Sequence, residues 1–187
     1  MIINQIFTNF LAVDFLSFDK ITNLENFCYD KIKLEATDPG QSDISEFELR
    51  TFLLPITEQI EQRLKLMHNE FGLKTQHEFK ISYAWLNLNQ NNNITAAHLH
   101  KNSIISGVLY IKCQDSGQLV LINPIIPHQY VIDPNTIENF NGLNSAVYRV
   151  VPEKGKLIIF PSWIMHYVEH NSNKNDRMSM AFNVQLV

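Results

Sequence analysis

A series of short β-rich runs fills the last two thirds of the chain, and this series most limits the folds open to it. Branched and aromatic residues dominate the runs, and glycine or polar residues separate them. Many short strands that follow a helical segment predict a mostly antiparallel sandwich or barrel, with the helices packed on one outer face. The predicted strands span residues 81–89, 104–113, 118–122, 145–151, 156–161 and 178–187.

The first third of the chain is predicted to contain one strand followed by helices. We expect the strand at residues 1–7, and then a helix capped by Ser17, because the apolar residues that follow form one stripe. A second helical segment starts near residues 43–45 and reaches about Gly72. Pro55 lies inside it, so either one helix kinks there or two helices meet.

The composition is that of a globular protein and argues against two kinds of partner, a broad nucleic-acid surface and a membrane. With 45% hydrophobic residues, the chain fits one domain, 1–187, in which residues 1–77 support a barrel core at 78–187. A net charge of -4 and a pI near 5.9 argue against a broad nucleic-acid-binding surface. No apolar run approaches the roughly 20 residues of a membrane span. Cys28 and Cys113 are expected to be free thiols, so we predict a cytoplasmic protein.

Two histidines one residue apart form the first candidate site. In a β-strand, side chains two residues apart share a face, so His98 and His100 project together while Leu99 faces the other layer. Two imidazoles on one face can bind a divalent transition metal through their neutral ring nitrogens. The alternative at this stage is a pair of half-exposed strand residues with no metal.

A third histidine and an arginine follow in the last quarter of the chain. His166 comes after a glycine turn and an apolar strand, which hold its backbone firmly. Arg177 and Ser179 share one face of the final strand, and an inward arginine is costly to bury without an anion. Its planar fork matches a carboxylate, and the serine hydroxyl adds one donor. The alternative is an arginine held by a nearby acidic side chain, which could be Glu153, Glu169 or Asp176.

These elements occur in the order of a known enzyme superfamily. The series His98-x-His100, an inward Tyr110, His166 and Arg177-x-Ser179 resembles the iron(II)- and 2-oxoglutarate-dependent oxygenases. The local sequences at 98–103, 106–110, 160–163 and 177–183 resemble a branch of this superfamily from bacteria and phages. The resemblance runs from about residue 81 to the C-terminus. It implies a mainly β fold, the double-stranded β-helix or jelly-roll barrel, with the metal inside its mouth.

The resemblance also implies a chemistry and a set of site residues. His98, His100 and His166 would bind Fe(II), with no further catalytic residue. Arg177 would bind the distal carboxylate of 2-oxoglutarate, helped by Ser179 and Tyr110. If their strand face is inward, Trp85 and Asn87 would line the same pocket, although core packing explains Trp85 equally well. The implied enzyme is a dioxygenase that consumes dioxygen, releases succinate and CO2, and hydroxylates a C–H bond of its substrate.

One residue departs from the superfamily pattern. The usual motif is His-x-Asp or His-x-Glu, so His100 stands where a carboxylate is expected. Two other arrangements stay open: His100 as the first ligand with Asn102 two residues on, or two protein ligands with water or halide beside them.

Two further functions also stay open at this stage. They are a cupin-like metal-binding barrel that binds or isomerises sugars, and a metal-free structural barrel. The long segment 122–144, which contains His128, is predicted to overhang the metal and contact the substrate. The identity of the substrate and the oligomeric state do not follow from the sequence.

Overall fold

The computed structural model describes residues 9–19, 23–36, 40–90, 93–114, 116–125, 133–171 and 175–187. The predicted strand at 1–7 and His128 lie outside these residues. The helices are α1 (Leu24–Glu35), α2 (Glu46–Arg50) and α3 (Leu54–Glu70). The strands are β1 (Ala12–Phe15), β2 (Gln41–Ile44), β3 (Phe79–Asn89), β4 (Thr95–His98), β5 (Ile105–Lys112), β6 (Leu119–Ile122), β7 (Val147–Val150), β8 (Lys156–Pro161), β9 (His166–Val168) and β10 (Arg177–Leu186).

The strands form two antiparallel sheets. The larger sheet has the order β1-β8-β5-β10-β3-β2, and the smaller has the order β4-β9-β6-β7. Their inner faces meet in an apolar cluster, in which Tyr110 and Phe160 of the larger sheet pack with Leu119 and Leu121 of the smaller one. The predicted mainly β fold, a double-stranded β-helix with antiparallel sheets, is confirmed.

The helices cover the outer face of the larger sheet, as predicted. Ile56 and Ile60 of α3 lie in one cluster with Met180 and Phe182 of β10, and all four side chains are fully buried. Burial of each such side chain contributes roughly 1.5–3 kcal/mol relative to exposure. Side chains alternate along β10, so Arg177 and the other side chains on its face of the strand point into the barrel. No helix among the described residues is long and apolar enough to cross a membrane.

The helical segment is broken at the proline. Ser45 caps α2 in a capping box with Glu48, and α3 begins with Pro55 in its first turn. Two helices therefore meet here. The predicted Ser17 cap is wrong, because α1 begins at Leu24 and the Ser17 hydroxyl donates to Asp19 instead.

Candidate metal centre

Three histidines from three parts of the chain converge between the sheets. His98 ends β4 and lies directly opposite His166, the first residue of β9. The ring of His100 reaches the same point, with centroid distances of 5.1 Å to His98 and 5.0 Å to His166. One nitrogen from each ring can be chosen so that all three lie within 4.8 Å of one another. The arrangement suits a single metal ion.

The backbone around these histidines differs from the prediction, in which one continuous strand carries both His98 and His100. The strand β4 ends at His98, and its pairing with β9 is irregular between Thr95 and His98. As a result, Leu99 is 40% exposed and does not enter the other layer, contrary to the prediction. His100 lies beyond the strand, and its backbone N–H donates to Ser162 O at 3.1 Å.

Two of the rings are oriented by their own local backbone. Nδ1 of His98 donates to Ala96 O at 2.8 Å, and Nδ1 of His166 donates to Ile164 O at 2.9 Å. A carbonyl oxygen only accepts, so these bonds place the proton on Nδ1 and leave the Nε2 lone pair for a metal. Outer partners of this kind commonly fix the orientation of metal-binding histidines.

The electrostatics favour neutral imidazoles at His100 and His166. Burial lowers the pKa of His166 to about 4, and the neighbouring histidines add to this effect against the hydrogen bond to Ile164. Burial likewise lowers the pKa of His100 to about 4; the charge of His98 adds to the effect and a hydrogen bond to Asn183 opposes it. Nε2 of His100 and Nε2 of His166 lie 3.2 Å apart. Two ring nitrogens this close need a proton or a cation between them, which fits a shared metal ion.

The alternative ligand Asn102 lies away from this cluster. It is exposed, in a turn with φ of 61°, and its backbone carbonyl accepts from Gln185. The structure therefore brings His100, and not Asn102, to the other two histidines.

A buried guanidinium lies at the start of the last strand. Arg177 is 2% exposed, and burial lowers its pKa against the nearby charges of Tyr110 and Cys113. Nη1 donates to Gly117 O at 2.9 Å, and Nη2 donates to Asn89 Oδ1 at 2.6 Å. Nε is buried and, among the described residues, has no hydrogen-bond partner.

The three acidic side chains that the sequence offers as partners of Arg177 form other contacts. Asp176 accepts from Tyr29, Glu169 pairs with Arg149, and Glu153 pairs with Lys156. Within the described part of the chain, the charged guanidinium therefore contacts only neutral hydrogen-bond acceptors. Such a group is a ready site for a carboxylate from outside the chain.

The remaining predicted residues line the same inner face. Ser179 lies opposite Tyr110 on one side and Asn87 on the other, so the three side chains point into the barrel together. Burial raises the pKa of Tyr110 to about 12, although the charge of Arg177 opposes the shift. Trp85 lies nearer the metal end, where its ring stacks on His100 with a centroid distance of 5.5 Å.

Sequence reasoning missed several residues that hold this site. Asn89 and Gly117 accept from Arg177, and Asn183, Ser106 and Ser162 form a polar group beside His100. Asn89 shares a strand face with Trp85 and Asn87, which was the available signal for it.

A match to a protein-family model shows to which family the chain with this site belongs. Residues 83–183, more than half of the chain, match the family model described as "Putative 2OG-Fe(II) oxygenase". The chain belongs to this oxygenase family. Iron(II) and 2-oxoglutarate are the metal and the co-substrate from which the family takes its name, and both predicted cofactors are confirmed at that level.

Solved structures share the fold of this oxygenase. A prolyl-4-hydroxylase from Pseudomonas putida has a TM-score of 0.59 at 20% identity, with 95% of this chain and 93% of that chain covered. The epimerase SnoN from nogalamycin biosynthesis, in complex with Fe3+, alpha-ketoglutarate and nogalamycin RO, has a TM-score of 0.61 at 11% identity. That alignment covers 94% of this chain and 78% of SnoN.

A further structural match covers less of its relative. The oxygenase aligns with a 2OG-Fe(II) oxygenase family oxidoreductase from Burkholderia pseudomallei at 16% identity and a TM-score of 0.50. It covers 69% of this chain and 55% of that one, so the present chain spans about half of that relative's length. The search of curated proteins by sequence gave no match.

Proposed function

We propose that this oxygenase is a dioxygenase that binds Fe(II) through His98, His100 and His166 and hydroxylates a C–H bond of its substrate. Release of succinate and CO2 from 2-oxoglutarate would accompany the reaction. The observation that carries the proposal is the buried guanidinium of Arg177, which contacts no acidic side chain among the described residues and lies in the same barrel as a cluster of three imidazoles.

The donor set fits iron. Imidazole is a good ligand for iron, and three protein ligands on one side leave three coordination positions for 2-oxoglutarate and dioxygen. The bound iron and 2-oxoglutarate would supply the oxidising chemistry. The Nδ1 bonds of His98 and His166 keep these rings in one orientation before the metal arrives. Such preorganisation reduces the ordering that metal binding must otherwise impose.

The charge distribution fits the co-substrate. Arg177 has an unsatisfied Nε–H and spare Nη protons, which is the donor pattern that a carboxylate accepts in a bidentate way. Ser179 and Tyr110 stand beside it on the inner face and offer hydroxyl donors for the same group. A metal-binding barrel without 2-oxoglutarate, the cupin-like alternative, would have no need of this unpaired buried cation.

The chain also protects the reaction from water. Phe160 packs edge-on against His166 with a centroid distance of 4.9 Å, and Ile158 and Ile164 lie in the same apolar cluster. An apolar surrounding strengthens each hydrogen bond that orients the ligands and the carboxylate. It also limits the access of solvent to the metal.

Conversion of 2-oxoglutarate tests the proposal. Fe(II)-loaded protein in aerated buffer with ¹³C-labelled 2-oxoglutarate should form labelled succinate slowly, even without substrate, as followed by NMR. The His166→Ala and Arg177→Ala variants should each lose this conversion, because one lacks a metal ligand and the other the carboxylate anchor. Absence of succinate from the folded, Fe(II)-loaded wild-type protein after prolonged incubation would contradict the proposal.

A further inference from the structure

A stack of three rings connects the metal centre with the surface of the protein. The ring of His100 stacks on Trp85 with a centroid distance of 5.5 Å and an interplanar angle of 24°. Trp85 in turn stacks on Tyr83, with a centroid distance of 5.3 Å and an angle of 30°. Because Tyr83 is 47% exposed, the stack begins at a candidate metal ligand and ends in solvent.

The strand β3 fixes the two outer rings of the stack. Tyr83 and Trp85 are two residues apart on this strand, so their side chains share one face of the sheet. Ala84 and Leu86 point the other way, and both are buried in the cluster on the helix side. The two rings therefore lie on the inner face, held by a paired strand and not by a loop.

The outer end of the stack is a hydrogen-bonded phenol. The Tyr83 hydroxyl donates to Oδ1 of Asp43, a residue that lies opposite Trp85 in the pairing of β2 with β3. An ionised carboxylate only accepts hydrogen bonds, so Asp43 can take the phenolic proton. Asp43 is exposed and can pass that proton to water. A phenol loses an electron far more readily when a base takes its proton in the same step.

Packing explains only part of this arrangement. An aromatic pair contributes about 0.5–1.5 kcal/mol beyond the area that it buries, which is sufficient reason for Trp85 to lie on a neighbouring ring. That contribution does not require the stack to end in a phenol bonded to an exposed carboxylate. Three contacts in series, from a metal-binding imidazole to a proton acceptor in solvent, instead suit the transfer of an electron inward and a proton outward.

We propose that Tyr83 is an electron donor to the metal centre, with Trp85 as the relay and Asp43 as the proton acceptor. The inference rests on the proposed function, because the oxidant is the iron centre after it has reacted with dioxygen and 2-oxoglutarate in the absence of substrate. The O–H bond of Tyr83 breaks. Its electron passes through Trp85 and His100 and reduces the iron centre by one electron, while its proton passes to Asp43.

The donor is regenerated from solvent. The tyrosyl radical returns to tyrosine when it takes one electron and one proton from a reductant such as ascorbate, which the exposure of Tyr83 allows. The path thus removes an oxidising equivalent that would otherwise attack side chains close to the metal. It protects the site whenever 2-oxoglutarate is consumed without substrate.

Electron paramagnetic resonance tests the inference directly. Protein loaded with Fe(II) and 2-oxoglutarate is mixed with dioxygen without substrate or reductant and frozen, and its organic radical is measured relative to the succinate formed. The wild type should give a tyrosyl signal that narrows when the protein contains ring-deuterated tyrosine. Tyr83→Phe keeps the stacked ring and should lose the signal. Asp43→Asn keeps the acceptor oxygen but is a much weaker base, so it should lose most of the signal.

Matched controls exist for the phenol and for the indole. Tyr148 is 58% exposed and Trp163 is 52% exposed, and neither stacks on a histidine among the described residues. Tyr148→Phe and Trp163→Phe should both keep the wild-type signal. Mass spectrometry gives a second measurement, since an oxidation that cannot reach Tyr83 stops at the relay. Oxygen added to Trp85 should therefore be more abundant in Tyr83→Phe than in the wild type.

The outcomes separate this inference from the proposed function. If the wild type forms succinate but no tyrosyl radical, or if folded Tyr83→Phe keeps the signal, the electron path is wrong and the proposed function stands. A wild-type signal in Asp43→Asn removes the proton acceptor and overturns the path as stated. Loss of the signal in Tyr148→Phe places the radical elsewhere and also overturns it. If the loaded wild type forms no succinate, both proposals fall together.

Discussion

At the scale of single residues, the site combines charge with orientation. Arg177 supplies a permanent positive charge, and Asn89 and Gly117 hold it without neutralising it. Motif order was enough to predict that the three histidines converge and that Arg177 is buried. It could not predict Asn89 or Asn183, because their partners depend on the register between strands far apart in sequence, such as Asn183 opposite Ser106.

Replacing the arginine fork by a point charge should separate co-substrate binding from metal binding. In Arg177→Lys the positive charge remains but the bidentate geometry is lost. Loss of a charge-assisted hydrogen bond costs about 1.5–3 kcal/mol, so the Kd for 2-oxoglutarate should rise roughly 10- to more than 100-fold. The Kd for Mn(II), measured by the same calorimetry, should be unchanged. An equal loss of both affinities in a folded variant would mean that Arg177 serves the whole site and not the carboxylate.

A charge placed beside Arg177 should compete with the co-substrate. Asn89 Oδ1 accepts from Nη2 at 2.6 Å, so Asn89→Asp puts a carboxylate at hydrogen-bonding distance from the guanidinium. A buried ion pair of this kind would occupy the charge that 2-oxoglutarate needs. We expect 2-oxoglutarate to bind at least about tenfold more weakly, with unchanged Mn(II) affinity. Binding of 2-oxoglutarate at wild-type strength would show that Arg177 is not its anchor.

At the scale of secondary structure, predictions succeeded where the sequence pattern was strong. The apolar runs that form β3, β5, β8 and β10 were predicted to within two residues at every end, and Pro55 correctly marked the junction of α2 and α3. The strands β1, β2 and β9 were missed, and β4 was expected to continue through His100 but ends at His98. They are three or four residues long and polar or mixed in sequence, and sheet pairing rather than propensity makes them strands. For the same reason, the end of β4 at His98 could not be predicted.

One close approach between strands gives a stability prediction. Gly107 of β5 lies opposite Phe182 of β10, and a Cβ on Gly107 would come within 2.1 Å of the Phe182 ring. Gly107→Ala should therefore lower the free energy of unfolding by about 1–3 kcal/mol, as overpacking does elsewhere. Gly142→Ala is a control, because nothing lies within 4 Å of the added atom. Urea unfolding that finds the two variants equally stable would contradict the packing of β5 on β10.

The long connection between β6 and β7 is the element that we expect to contact the substrate. Its first anchor is close to the site, since Ile122 N–H donates to Met165 O beside His166. Removal of residues 134–144 should preserve uncoupled succinate formation and the Kd for Mn(II), while product formation from substrate is lost. That the segment overhangs the metal stays a prediction, and loss of succinate formation in a folded variant would contradict it.

At the scale of the whole molecule, the helices and the site occupy opposite faces of one sheet. The strand β10 contributes Met180 and Phe182 to the helix side and Arg177 and Asn183 to the site side. Ligands that bridge the two sheets should therefore stabilise the entire fold.

Binding of metal and co-substrate should raise the thermal stability. At ligand concentrations 100 times the Kd, binding adds about 2.7 kcal/mol to the free energy of unfolding. For a chain of this size that corresponds to a rise in Tm of roughly 5–10 °C, measured with Mn(II) and 2-oxoglutarate together. The His98→Ala variant should show little or no rise. An equal rise in that variant would place the metal somewhere other than the three-histidine cluster.

The central claim is that one site holds a metal through three histidines and 2-oxoglutarate through Arg177. Calorimetric titration of 2-oxoglutarate into Mn(II)-loaded and into metal-free wild-type protein tests it most directly. We predict one binding site in the Mn(II)-loaded protein and much weaker binding in the metal-free protein, because the metal and Arg177 bind opposite ends of the same molecule. Absence of binding to the Mn(II)-loaded protein, or equal binding without metal, would contradict the account.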